Sequence, residues 1–183
     1  MSVSPRAATD SLAALRFPAF RWWVAASVAA NLGSRALAVV IGFQVYAVSH
    51  STLALGLLGL VEAIPALGLA LLGGHFADRH DRRRIVLITR AASVVTASGL
   101  ALASGLPVSG VLPALYALVF LAGIARGFGD PASSALETQL VPSAAFVNAA
   151  AWMATAWQGS AIVGPAVGGI LFDWLGGRTY WLV

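Results

Sequence analysis

The chain has 183 residues, 59% hydrophobic and only 10% charged, against roughly 25% charged in an ordinary soluble domain. With a mean hydropathy of +0.85 in 18.8 kDa, its apolar runs are too long to hide in a core of this size, which excludes a water-soluble globule and leaves lipid as their solvent. All 11 basic residues are arginine and cysteine is absent, which excludes a Walker-type phosphate loop, Schiff-base chemistry, disulfides, thiol nucleophiles and Cys-ligated zinc. The net charge of +4 comes largely from an arginine cluster between apolar spans, which suits membrane topology better than nucleic acid.

Residues 1–19 form a cytoplasmic N-terminal segment without the apolar stretch and cleavage site of a secretory signal. Asp10 or Ser11 is expected to cap a short amphipathic turn lying on the membrane surface until Pro18 ends it. Phe20, Arg21, Trp22 and Trp23 read as an anchor at headgroup depth. Residues 20–183 are then a transmembrane bundle, incomplete at its C-terminal end.

The first span covers residues 22–47. His50, Ser51 and Thr52 make a very short polar break, so a second span, 53–76, returns beside the first. The charged run from Asp78 to Arg84 separates it from a third span, 85–104, and a Gly/Pro-bearing turn leads to a fourth, 112–135, whose end Pro131 is expected to bend. A polar connector precedes a fifth span, 146–175, and residues 178–183 look like the opening of a sixth. Arg6, Arg16, Arg21, Arg79, Arg82, Arg83, Arg84 and Arg90 fall on one side of this arrangement and only Arg178 on the other, which puts the N-terminus in the cytoplasm.

Two motifs carry more than topology. Gly74 to Arg84, with Asp78, Arg79, Arg82 and Arg83, resembles the G-x-L-A-D-R-x-G-R-R loop of the major facilitator superfamily, with Phe76 in place of Leu and Asp81 in place of the turn glycine. Gly74 permits close helix approach, and Asp78 at a helix C-terminus opposes its own dipole and needs a positive end nearby. The alternative is a positive-inside loop with no gating role. Gly159, Gly164, Pro165, Gly168 and Gly169 resemble the antiporter motif G-x(4)-G-P-x(2)-G-G of the same superfamily. Ser160, Gly164 and Gly168 recur every fourth residue and leave one helix face nearly bare, while Pro165 bends the span; ordinary small-residue packing is the plainer explanation.

Asp130-Pro131-Ala132 and Leu140-Val141-Pro142 add a likeness to the branch with siderophore exporters and other efflux proteins. The resemblance covers nearly the whole chain from Phe20 onward. It implies an all-α membrane protein, the N-terminal six-helix bundle of a twelve-span carrier with five spans complete and the sixth truncated. It implies too that Asp78 faces a helix of the second half and that the fifth-span motif marks exporters. The expected function is proton-coupled export of small amphipathic organic molecules, drug-like or siderophore-like, by alternating access in a bacterial inner membrane. The rival is a half-length membrane fragment that folds, assembles or regulates without transporting.

Charges inside apolar spans are costly and mark functional candidates: Arg35, Glu62, Arg126 and Asp130, with Arg90 a turn inside the third span. They offer a proton or substrate pathway, Arg126 resembling the fourth-span arginine of the superfamily. A structural pair of Arg126 with Asp130, and of Arg35 with Glu62, is the competing interpretation. His75 and His80 beside Asp78 and Asp81 superficially suggest a metal, but the arginines repel cations, so no metal and no cofactor is expected. No paired catalytic groups emerge, so the chain is not expected to be an enzyme. Its expected partners are the bilayer, a small-molecule substrate, protons and a second six-helix half or another copy, and no nucleic acid. The helices expected to be bound together are the second, third and fifth, with Asp78 as a latch and the glycine ridge as a seal.

Overall fold

The computed structural model describes residues 12–175, 179, 180 and 182, apart from the side chain of Val108. Five helices follow in the expected order: α1 Pro18–Ser49, α2 Thr52–Arg79, α3 Arg82–Ala103, α4 Val108–Glu137 and α5 Phe146–Leu175. Among the described residues there is no strand. The first four are long and apolar enough to cross a membrane. The 30 residues of α5 reach about 45 Å at the α-helical rise, but Asn148, Gln158 and its glycines dilute its hydropathy.

Short polar caps set the boundaries. A short turn at Ala14–Arg16 stops at extended Phe17, ahead of Pro18 as expected, and Pro18 also opens α1, because a proline in the first helical turn lacks only a donor that had no partner anyway. His50 closes α1 in the left-handed region at φ 49°, its N–H donating to the Tyr46 carbonyl, and the Ser51 hydroxyl accepts from the Ala54 N–H to start α2. Asp81 caps α3 by accepting from the Arg83 N–H at 2.9 Å, with φ −63° and ψ 106°. The turn into α3 therefore needs no left-handed residue, and an acid replaces the family's glycine as a cap. At the end of α4 the helix passes Pro131 and stops only at Glu137.

The helices pair as α1 with α5, α2 with α4 and α3 with α4, whereas α1 and α2, though joined by a tight hairpin, share a smaller contact. Glycines on α4 explain the closest pair. A Cβ on Gly123 would lie 2.5 Å from the Glu62 carbonyl oxygen, one on Gly127 2.9 Å from Leu69 Cβ, and one on Gly73 would overlap the Gly127 carbonyl oxygen. Small residues four apart let two backbones meet where lipid supplies no hydrophobic drive between helices. The main partner of α5 is α1, which corrects the expectation that the second, third and fifth helices are bound together.

Burial is inverted relative to a soluble bundle: Leu67, Leu71, Val147 and Ile162 are exposed, while the buried clusters are small and sit along the helix seams. One cluster joins the N-terminal segment to α5. Ala14 and Phe20 are fully buried with Val141, Ala145 and Ala149, and the Ala14 N–H donates to Asn148 Oδ1 at 2.9 Å. Residues 14–16 thus dock on the start of α5, and Phe20 is a core residue where an interfacial anchor was expected. Trp22 stays exposed, and Trp23 donates its indole N–H to Glu137 at 3.3 Å. The expected caps Asp10 and Ser11 lie outside the described residues, as does Arg178. Thr179 donates to the Leu171 carbonyl and Tyr180 is buried among Val40, Val45 and Leu115.

Candidate functional site

The charged loop joins α2 to α3 and places its arginines unequally. Arg82 reaches between two helix ends: Nη2 donates to Asp78 at 3.2 Å, Nε to the Ala77 carbonyl at 3.4 Å and Nη1 to the Ala135 carbonyl at 3.3 Å. A guanidinium suits this position because its rigid fork meets several oxygens at once and its charge opposes the negative ends of α2 and α4. Asp78 remains largely exposed despite this contact, and Arg79 and Arg83 point outward. Gly74 faces open space, so the close approach expected of it belongs to Gly73.

The seam between α2 and α4 brings the intramembrane charges together. Arg126 Nη1 donates to Glu62 Oε1 at 2.6 Å, and its Nε lies 3.7 Å from Asp130 Oδ2 one turn along α4. Gly123 and Gly127 flank the arginine and hold its helix against α2, so the Glu62 contact follows from the glycines. A small polar cavity of about 40 Å³ lies beside this group, lined by Arg90, Ser93, Arg126, Asp130 and Ser133 among others. Arg35 is not part of it. Glu62 is taken by Arg126, so the alternative of an Arg35–Glu62 pair is not met, and Arg35 instead lies 5.2 Å from the ring centre of Trp157 on α5. Among the described residues no carboxylate is within ion-pair distance of Arg35, and an indole face is the weaker compensation available to a cation there.

The ridge on α5 is where Arg35 is held. A Cβ on Gly164 would lie 2.5 Å from Arg35 Cβ, and one on Gly168 2.5 Å from the Ala36 carbonyl oxygen and 2.8 Å from its Cα. Ser160 continues this line and is buried, its hydroxyl donating to the Ala156 carbonyl. Gly159 and Gly169 face open space, and α5 continues through Pro165. Of the five residues of the motif, Gly164 and Gly168 make the close contact.

Sequence reading missed Gly73, Gly123 and Gly127, although the four-residue spacing in α4 was a visible signal. It missed as well the Trp23 to Glu137 bond and the reach of Arg82 to α4, for which no local pattern exists.

Residues 9–183 match the family described as transmembrane secretion effector, a group of the major facilitator superfamily. The chain belongs to this family. Among curated proteins it is similar to the multi-drug resistance efflux pump PmrA of Streptococcus pneumoniae, 29% identical over 131 residues, 68% of this chain and 30% of the relative. It is similar to the enterobactin exporter EntS of Shigella flexneri, 29% identical over 155 residues, 84% of this chain and 37% of the relative. EntS of Salmonella choleraesuis is 30% identical over the same span. The chain covers about a third of the length of these relatives. No solved structure matches it significantly. Family and apolar helices together make this an integral membrane protein of the major facilitator type, from a family of transporters and not of enzymes.

Proposed function

We propose that this chain is the first bundle of a proton-coupled exporter of small amphipathic organic molecules, working by alternating access with a second six-helix half. The observation that carries this reading is the convergence of Glu62, Arg126 and Asp130 at mid-helix in a chain whose family comprises secretion effectors. Two carboxylates share one guanidinium, so a single proton would neutralise the group and release Arg126 from one partner. Asp78 and the Arg82 bridge serve as the gate at the inner mouth, and Gly164 and Gly168 as the sealed contact between α1 and α5. Drug-like or siderophore-like cargo is supported by the likeness to the multi-drug resistance efflux pump PmrA and the enterobactin exporter EntS. An N-terminus in the cytoplasm of a bacterial inner membrane completes the reading.

The test is accumulation of a fluorescent amphipathic dye in inverted vesicles holding the assembled carrier, this chain with its second half. Uptake that follows an imposed pH gradient and collapses with a protonophore is expected. Uptake indifferent to the gradient would overturn proton coupling, and absence of uptake for every amphipathic dye and siderophore tried would overturn export.

A further inference from the structure

The loop end of the bundle carries an apolar cleft that the transport reading does not use. Although α2 and α3 are consecutive, both pack mainly on α4 and hardly on each other. The gap between them is a cavity of about 230 Å³, walled by Phe76 of α2 and by Ile85, Ile88 and Ala92 of α3, with Ala125 and Phe128 of α4 as its floor. The one hydroxyl on the wall, that of Thr89, is spent on the Ile85 and Val86 carbonyls. The cleft therefore offers no free hydrogen-bond donor to a guest, and it opens outward, since Ile88 is 68% exposed.

Its mouth is polar and basic. His80 stacks on Phe76 with ring centres 3.9 Å apart, and Arg84 lies one turn before Ile88 on the same face of α3. The Arg84 side chain is 82% exposed and, among the described residues, is tied only to Asp81 at 3.6 Å, an acid whose other oxygen already caps α3. From Ile85 to Ala92 the cleft runs along α3 for about 10 Å at the helical rise, with Arg84 one residue before its start. A cation in the first turn of a membrane-spanning helix, beside an apolar channel that runs on along that helix, is the profile of one ligand class.

We propose that the cleft is a binding site for one anionic phospholipid, an acyl chain lying between α2 and α3 and the phosphate resting against Arg84 beside His80. The anion is required because Asp81 only partly offsets Arg84 and neither Arg79 nor Arg83, exposed nearby, has a carboxylate within ion-pair distance among the described residues.

The experiment is native mass spectrometry of the 183-residue chain released from nanodiscs of equal phosphatidylglycerol and phosphatidylcholine. The chain should retain one phosphatidylglycerol in about fivefold preference, the size of one arginine near an anionic headgroup. Arg84→Gln should bring the two lipids level, Arg84→Lys should keep most of the preference, and Arg21→Gln, a basic residue of α1 that does not line the cleft, should change nothing. Ala92→Trp, which fills the channel, should remove the retained lipid, and Ile88→Trp provides the same test should the first variant fail to fold by circular dichroism. A native chain without preference, an Arg84→Gln chain with it intact, or a folded filled-channel variant that still carries the lipid would each overturn the proposal.

Discussion

The contact between α5 and α1 can be tested by two alanines one residue apart. In Gly168→Ala the new Cβ would stand 2.5 Å from the Ala36 carbonyl oxygen and 2.8 Å from its Cα, both backbone atoms that no rotamer change can move. Restoring ordinary contact at 3.4 Å requires α5 to retreat from α1 by about 0.9 Å. Overpacking of this kind costs about 1–3 kcal/mol, against a gain of about 1 kcal/mol from replacing a mid-helix glycine by alanine. Gly169→Ala has the same helix gain and meets nothing within 4 Å, so it should be neutral or slightly stabilising. The difference between the two variants isolates the overpacking. Unfolding in mixed micelles by detergent titration, followed by circular dichroism, should place Gly168→Ala about 1–3 kcal/mol below Gly169→Ala. Equal stabilities, within about 0.5 kcal/mol, would refute the close contact of α5 with α1.

Other outcomes follow from the same contacts. Glu62→Ala should destabilise the bundle more than the double variant Glu62→Ala/Arg126→Ala, with a coupling on the order of 1–2 kcal/mol by a double-mutant cycle, above the 0.2–1 of a fully solvated pair. Arg82→Gln should speed hydrogen exchange at the C-terminal turns of both α2 and α4, and Arg82→Lys should not restore both ends, since an ammonium lacks the fork; acceleration in α2 alone would refute the bridge. Phe20→Ala should cost about 3–5 kcal/mol as a fully buried aromatic, whereas Trp22→Ala, two residues on and exposed, should be near neutral in the same micelle titration. Similar losses for both would return Phe20 to the interface.

The helices were legible because each is an apolar run bounded by residues whose local chemistry forces a stop: Ser51 and Asp81 as caps, His50 as a left-handed terminator. Which helix meets which was not legible. The small-residue line of Ser160, Gly164 and Gly168 announces a close neighbour without naming it, and α1 answers only through the backbone of Ala36 and the Cβ of Arg35. Charges followed the same rule. The spacing of Arg126 and Asp130 on one helix fixed their neighbourhood, whereas Glu62, sixty-four positions from Arg126, could be matched with either arginine until the α2–α4 seam was seen. Phe20 misled because aromatic residues beside arginine have the same composition at a headgroup interface and in a core, and only the docking of residues 14–16 separates the two.

Under the proposed function the loop acid and the glycine contact work as gate and seal of an exporter, and dye export by the assembled carrier tests both at once. With Asp78→Asn, export from energised vesicles should fall at least about tenfold while the protein stays folded, an effect of more than 1.4 kcal/mol on the transport cycle. With Gly164→Leu, the vesicles should become leaky to protons. Export at the native rate from the first variant, together with vesicles as tight as native from the second, would contradict the account.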